Sequence, residues 1–219
     1  MPRMSPWPDN PLPFRGSGPL ARGRMAFIIG LVLLLGGCGP RLIGVTKSPG
    51  YNESIKGAVV VLVARRVGAA EPDTAVVSRT EARKLVSSTR RSLETFNSVL
   101  KRRMPDLAAN NGFAPRVIET ADADFDSKDP VTVHQIKQLP PFRQFVKVQP
   151  VNAFTTCAAT CKTVIKVAVN VYDRRLERDV WSATLDVSEK SGIHPFDDGD
   201  IGGFWNMVTE QLRASGLMS

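Results

Sequence analysis

The chain has 219 residues, 42% of them hydrophobic and 23% charged, which is enough apolar material for one ordinary domain and too much for a disordered chain. Its net charge of +8 is unevenly placed: residues 1–37 hold four arginines against one aspartate, which leaves +5 for residues 38–219. That excess is mild rather than extreme, and with two histidines and three cysteines the chain has few groups for metal binding or general acid–base catalysis.

Residues 1–24 are rich in proline and glycine and show no hydrophobic period, so they take no part in a fold argument; Met1, Met4 and Met25 are all candidate start residues. Ala26 to Leu35 is continuously apolar apart from Gly30 and follows Arg22 and Arg24. A run of roughly ten residues matches a secretory signal core, whereas a spanning helix needs about 20. Leu35-Gly36-Gly37-Cys38 closes the run and resembles the lipobox of bacterial lipoproteins. The resemblance implies that residues 1–37 are a cleaved signal peptide and that the Cys38 sulfur carries a diacylglycerol, with a further acyl chain on the new N-terminus. An aspartate after that cysteine often retains such proteins in the inner membrane, and Gly39 in its place implies the outer membrane.

Residues 39–56 contain Gly39, Pro40, Gly44, Pro49 and Gly50 among scattered polar residues and read as a flexible tether behind the lipidated end, giving a 38–56 segment before a 57–219 domain. Such a tether would reach at most about 60 Å, and about 25 Å on average as a coil. Ala58 to Ala64 is apolar and β-branched throughout, as expected for a strand covered on both faces. Ser78-Arg79-Thr80-Glu81 matches a capping box, and Ala82, Leu85, Val86, Thr89, Leu93, Phe96 and Leu100 then recur at helical steps. Arg83, Lys84, Arg90, Arg91, Lys101, Arg102 and Arg103 fall mostly off that stripe and form a basic helix face. Pro105 is expected to break or kink the helix, and Gly112 to end it.

Residues 115–119 read as a short strand and residues 120–141 as a polar loop, in which Asp122, Asp124 and Asp126 lack the glycine and glutamate of a calcium loop. A strand starts at Phe145. Residues 162–173 and 180–187 alternate in hydrophobicity around a charged turn, which is an antiparallel hairpin by period. Cys157 and Cys161 lie in the connection before it. With Cys38 lipidated they are an even remainder in an oxidising compartment, so a disulfide is the leading reading, free thiols the next and metal the last. His194, Asp197, Asp198 and Asp200 form a polar cluster that serves either as an acid–base site or as the acidic start of a helix carrying Ile201, Phe204, Trp205, Val208 and Leu212.

The element order predicts an α+β domain: a mainly antiparallel sheet of about five strands with two helices packed on one face. The layout resembles the small α/β domains of outer-membrane lipoproteins such as the penicillin-binding-protein activators and the curli-secretion lipoprotein, in architecture and without a shared motif. No nucleophile elbow, phosphate-binding loop or zinc-protease motif occurs, so no catalytic residue, metal or cofactor is expected. The expectation is a non-enzymatic accessory or binding protein of the envelope, held to the membrane by its anchor and meeting another envelope protein or cell-wall component rather than nucleic acid. The alternatives are an envelope hydrolase using the His194 cluster and a basic domain that binds anionic lipid.

Overall fold

The structure, a computed structural model, describes residues 39–63, 79–120, 142–157, 161–189 and 196–219, with backbone alone at Arg79, Thr156 and Cys157. Cys38–Ser219 forms a compact unit of its own. The elements in chain order are β1 (Arg41–Lys47), β2 (Val59–Val63), α1 (Arg79–Asn110), β3 (Val117–Thr120), β4 (Gln144–Cys157), β5 (Cys161–Asp173), β6 (Arg178–Ser188) and α2 (Asp198–Ala214). The strands form one sheet in the order β1-β6-β5-β4-β2-β3.

The fold is α+β as expected, with six strands rather than five and a mixed sheet rather than a mainly antiparallel one. β1 with β6, β6 with β5 and β5 with β4 are antiparallel, whereas β2 is parallel to both β3 and β4. The cause is topological. A strand followed by a long helix returns parallel to itself, and β4 then enters on the other side of β2 in the same direction. Hydrophobic period reports which face of a strand is buried and carries no information on the direction of its neighbour.

Both helices cover one face. Leu93, Phe96, Leu100 and Met104 of α1 share a core with Ile201, Phe204, Trp205 and Leu212 of α2 and with Val60, Val146, Val167, Val169 and Leu185 of the sheet. Phe96 packs edge-on against Phe196 with ring centroids 5.2 Å apart, and Phe113 against Trp205 at 5.3 Å. A second cluster, with Val59, Val61, Val63, Ile118 and Phe145, occupies the opposite face. The unbroken apolar run of β2 follows from this, since both of its faces are buried. Along β5 and β6 the expected alternation holds: Ile165, Val167, Val169 and Val171 pair with Val187, Leu185, Ala183 and Trp181 on the helix side.

α1 continues through Pro105 to Asn110. The proline removes one backbone hydrogen bond, while Met104 and Ala108 on either side are fully buried. Both helices end in the same way. Gly112 (φ 78°) and Gly216 (φ 70°) take the left-handed conformation, Phe113 N donates to Ala108 O, and Leu217 N donates to Leu212 O. This is the Schellman arrangement, with the residue after each glycine buried beneath the helix end.

The expectation that residues 39–56 are a flexible tether does not survive. Residues 41–47 form β1, which pairs with β6 from Arg41↔Asp186 to Lys47↔Trp181, and Tyr51 and Ile55 are buried in the core. Leu42 and Val45 lean on the same core, and a register shift between Leu42 and Gly44 lies between them. That bulge puts the two apolar residues three apart and erases the period of two by which a strand is recognised.

Candidate functional site

Four groups of residues were singled out from the sequence: the lipidation residue Cys38, the pair Cys157 and Cys161, the cluster around His194 and the basic helix face. Cys38 and His194 lie outside the described residues. Just after Cys38, Pro40 sits against the first turns of α2, where a Cβ on Gly203 would stand 3.6 Å from the proline Cδ. From Cys38 to the first residue of β1 is three residues, roughly 10 Å of extended chain. The polypeptide therefore enters the domain from the helix side, with almost no slack.

The acidic residues near His194 serve the helix that follows them. Asp197 is the N-cap of α2: its side chain accepts from Asp200 N at 2.9 Å, and Asp200 Oδ2 accepts from Asp197 N at 3.0 Å. This reciprocal pair satisfies two helix-end donors and places negative charge at the positive end of the helix. Asp198 faces α1 instead, where it pairs with Arg102 and stands 3.7 Å from Arg103 Nε. The three carboxylates thus diverge into a cap and an interhelical ion pair. Among the described residues no group of three or more His, Cys, Asp or Glu side chains could hold a metal ion.

The basic face of α1 divides into two parts. In its second half Lys101 pairs with Glu119 at 2.8 Å, and Arg102 with Asp198. In its first half Arg90 meets Glu94 one turn on, at 3.4 Å. Arg83, Lys84 and Arg91 have no ion-pair partner among the described residues and are exposed. The first half of α1 lies over the β4–β5 hairpin, joined by a chain of hydroxyls: Thr89 Oγ1 to Thr155 Oγ1 at 2.6 Å, Thr155 Oγ1 to Thr163 Oγ1 at 3.1 Å, and Thr163 Oγ1 to Ser92 Oγ at 3.3 Å.

β4 and β5 pair to their ends, with Cys157 opposite Cys161. Facing Cα atoms in an antiparallel pair are about 4.5–5.5 Å apart, within the range a disulfide bridges. The backbone therefore puts the two cysteines where the expected bond can form.

One polar cluster was not visible in the sequence. Asp173, fully buried at the end of β5, accepts from Tyr51 Oη at 2.8 Å and from the amides of Arg175 and Leu176, while Arg143 Nη2 stands 3.0 Å away. Gln144 Nε2 donates to Tyr51 Oη and to Ser54 O, each at 3.2 Å. Glu53 pairs with both Arg143 and Arg175. Burial opposes ionisation of Asp173, but the bonds from Tyr51, Arg143 and the two amides outweigh it and hold the carboxyl below its ordinary range. Burial, seconded by the charge of Asp173, raises Tyr51 above the usual tyrosine value. The cluster fastens residues 51–54 to the start of β4 and the end of β5, so its role is structural.

A groove of about 260 Å³ opens at the C-terminal ends of β2 and β3, floored by Leu62, Val63, Leu100 and Val148. Lys101 and Glu119 at its rim neutralise each other. Among the described residues no helix is long and apolar enough to cross a membrane.

No family model and no curated protein matches the chain. Solved structures of similar outline include the PelC dodecamer from Paraburkholderia phytofirmans, at 12% identity and a TM-score of 0.40 over 80% of this chain and 97% of that one. They also include lipoprotein GNA1162 from Neisseria meningitidis, at 14% identity and a TM-score of 0.38 over 72% and 99%. The protein CT253 from Chlamydia trachomatis follows at 17% and 0.35, over 73% and 95%. Likenesses this loose carry no argument about activity or partners.

Proposed function

We propose that the protein is a lipid-anchored, non-enzymatic component of the bacterial cell envelope, attached through Cys38 to the outer membrane, facing the periplasm and binding another envelope protein or cell-wall component through its domain surface. The observation that carries the reading is a coincidence of two boundaries. The compact unit begins at Cys38, the residue at which the signal-like run of residues 26–37 ends in Leu-Gly-Gly-Cys. Cleavage there would remove none of the described core, and β1 starts three residues later.

The role of the carboxylates also supports a binding function over hydrolysis. Asp197, Asp198 and Asp200 are committed to capping and to an ion pair, which leaves no pair of them converging on a substrate. The Cys157–Cys161 disulfide belongs to the same reading, since an exported protein meets an oxidising compartment.

The test is replacement of the anchor. Wild-type protein is expected to take up labelled palmitate and fractionate with membranes, and Cys38→Ala to do neither. A Cys38→Ala form that still takes up palmitate and pellets with membranes would overturn the reading.

A further inference from the structure

The basic face of α1 and the point at which the anchor joins the domain lie on the same side of the sheet, and from this we infer that the first half of α1 is a contact surface for anionic phospholipid head groups. The inference rests on the proposed lipidation of Cys38, which brings the domain to a bilayer; the surface itself is argued from the folded domain.

The first observation is where the chain enters. Pro40 packs at Gly203 of α2, in the helix layer, two residues after Cys38. With β1 beginning at Arg41, the sheet starts only three residues after the anchor, which limits how far the domain could turn its helix layer away from the membrane that holds the anchor. A tether of 18 residues would have left every face equally available; a spacing of three does not.

The second observation is the charge of that layer. On a helix, residues 83, 87, 90, 91, 94, 98, 101 and 102 recur at steps that keep them within one arc of about 120°. In α1 these are Arg83, Ser87, Arg90, Arg91, Glu94, Ser98, Lys101 and Arg102, with Lys84 at the edge of the arc, and all of them are exposed. The stripe is roughly 28 Å long at 1.5 Å per residue. Residues 80–103 hold seven cations and two acids, a net +5, as large as the excess of the whole of residues 38–219. Neighbours neutralise the second half of the stripe, through Glu119 and Asp198. Arg83, Lys84 and Arg91 in the first half have no such partner among the described residues.

The third observation rests on the apolar groups: Ala82, Thr89, Leu93, Phe96 and Leu100 turn inward and Leu85 and Val86 are half-buried, so the exposed arc of α1 presents charge and hydroxyls. The surface thus suits attraction to head-group phosphates rather than penetration of the hydrocarbon, and its strength falls as salt rises.

The test uses residues 38–219 with Cys38→Ser, the compact unit that contains all of the described core. Binding is measured by co-sedimentation with phosphatidylcholine vesicles, with and without phosphatidylglycerol, at two salt concentrations, and with a DNA duplex as a competing polyanion. The expected result is binding to the anionic vesicles only, weakened by salt. Each charge removed should reduce it about fivefold, so Arg83→Gln/Lys84→Gln/Arg91→Gln should lose about a hundredfold. Arg83→Lys/Arg91→Lys should bind like the parent. All three triple-variant positions are exposed and without ion pairs among the described residues, so an unchanged thermal melt controls for folding. Equal binding to neutral vesicles, an unaffected triple variant, or tighter binding to the duplex than to anionic vesicles would each overturn the inference. Failure of the anchor would appear separately, as absent palmitate on the full protein with vesicle binding intact.

Discussion

Residues 41–55 and the β5–β6 hairpin join the same sheet, yet one is hidden in the sequence and the other is plain. The hairpin advertises itself because every second residue from Ile165 to Val171 and from Trp181 to Val187 faces the core, and strict alternation has one structural meaning. The N-terminal segment reaches the core at irregular intervals, through Leu42, Val45, Tyr51 and Ile55, with a bulge, a proline and two glycines between them. Its stability comes from partners far along the chain: Trp181 beside Lys47, Asp173 under Tyr51, and the carbonyl of Leu217 accepting from Ile55 N at 3.0 Å. A segment held by distant contacts looks like a linker when read alone. The difference matters for function, because it replaces a tether reaching tens of ångströms with a spacer of roughly 10 Å.

The comparison can be broken most forcefully by deletion. Removing residues 41–56 should abolish cooperative thermal unfolding, since it uncovers the edge of β6 and takes Tyr51 and Ile55 from the core; a true tether would be lost without effect. Next in size is Ile55→Ala, which should cost about 2–5 kcal/mol by chemical denaturation, the usual range for a fully buried aliphatic side chain. The same change at exposed Ile43 should cost far less.

The Asp173 cluster gives a pH-dependent version of the same experiment. The carboxyl is held below its ordinary value, so its contribution to stability is present in full above the unfolded-state pKa of about 4 and is lost as pH falls through the lower folded-state value. Wild-type protein should therefore lose stability on acidification through that window, and Asp173→Asn should lack this component of the slope. Tyr51→Phe, which removes one hydrogen bond to the buried carboxylate, should cost about 1.5–3 kcal/mol at neutral pH. The smallest effect is expected at the surface, where Arg90→Ala should change stability by no more than about 0.5 kcal/mol because its pair with Glu94 is open to solvent on both sides.

Legibility followed the same physics elsewhere. The helix stripe of α1, its stop at Gly112, the two-sided burial of β2 and the capping aspartates of α2 all depend on residues close together in sequence, and each could be read there. The parallel pairing of β2, the Tyr51–Asp173–Arg143 cluster and the division of the basic face into a neutralised and an open half depend on elements brought together only by folding. Nothing in residues 101–103 marks Glu119 and Asp198 as their partners. At the acidic cluster both readings were available, and the observed cap bonds show Asp197 and Asp200 serving the start of α2.

The central claim is that a lipidated Cys38 leads directly into a folded domain, and mass spectrometry of the N-terminal peptide from protein purified out of its native envelope tests it most directly. The account predicts that the mature chain starts at Cys38 and that this residue carries the added mass of a diacylglycerol and an acyl chain. An unmodified Cys38 inside a longer, uncleaved chain would contradict it.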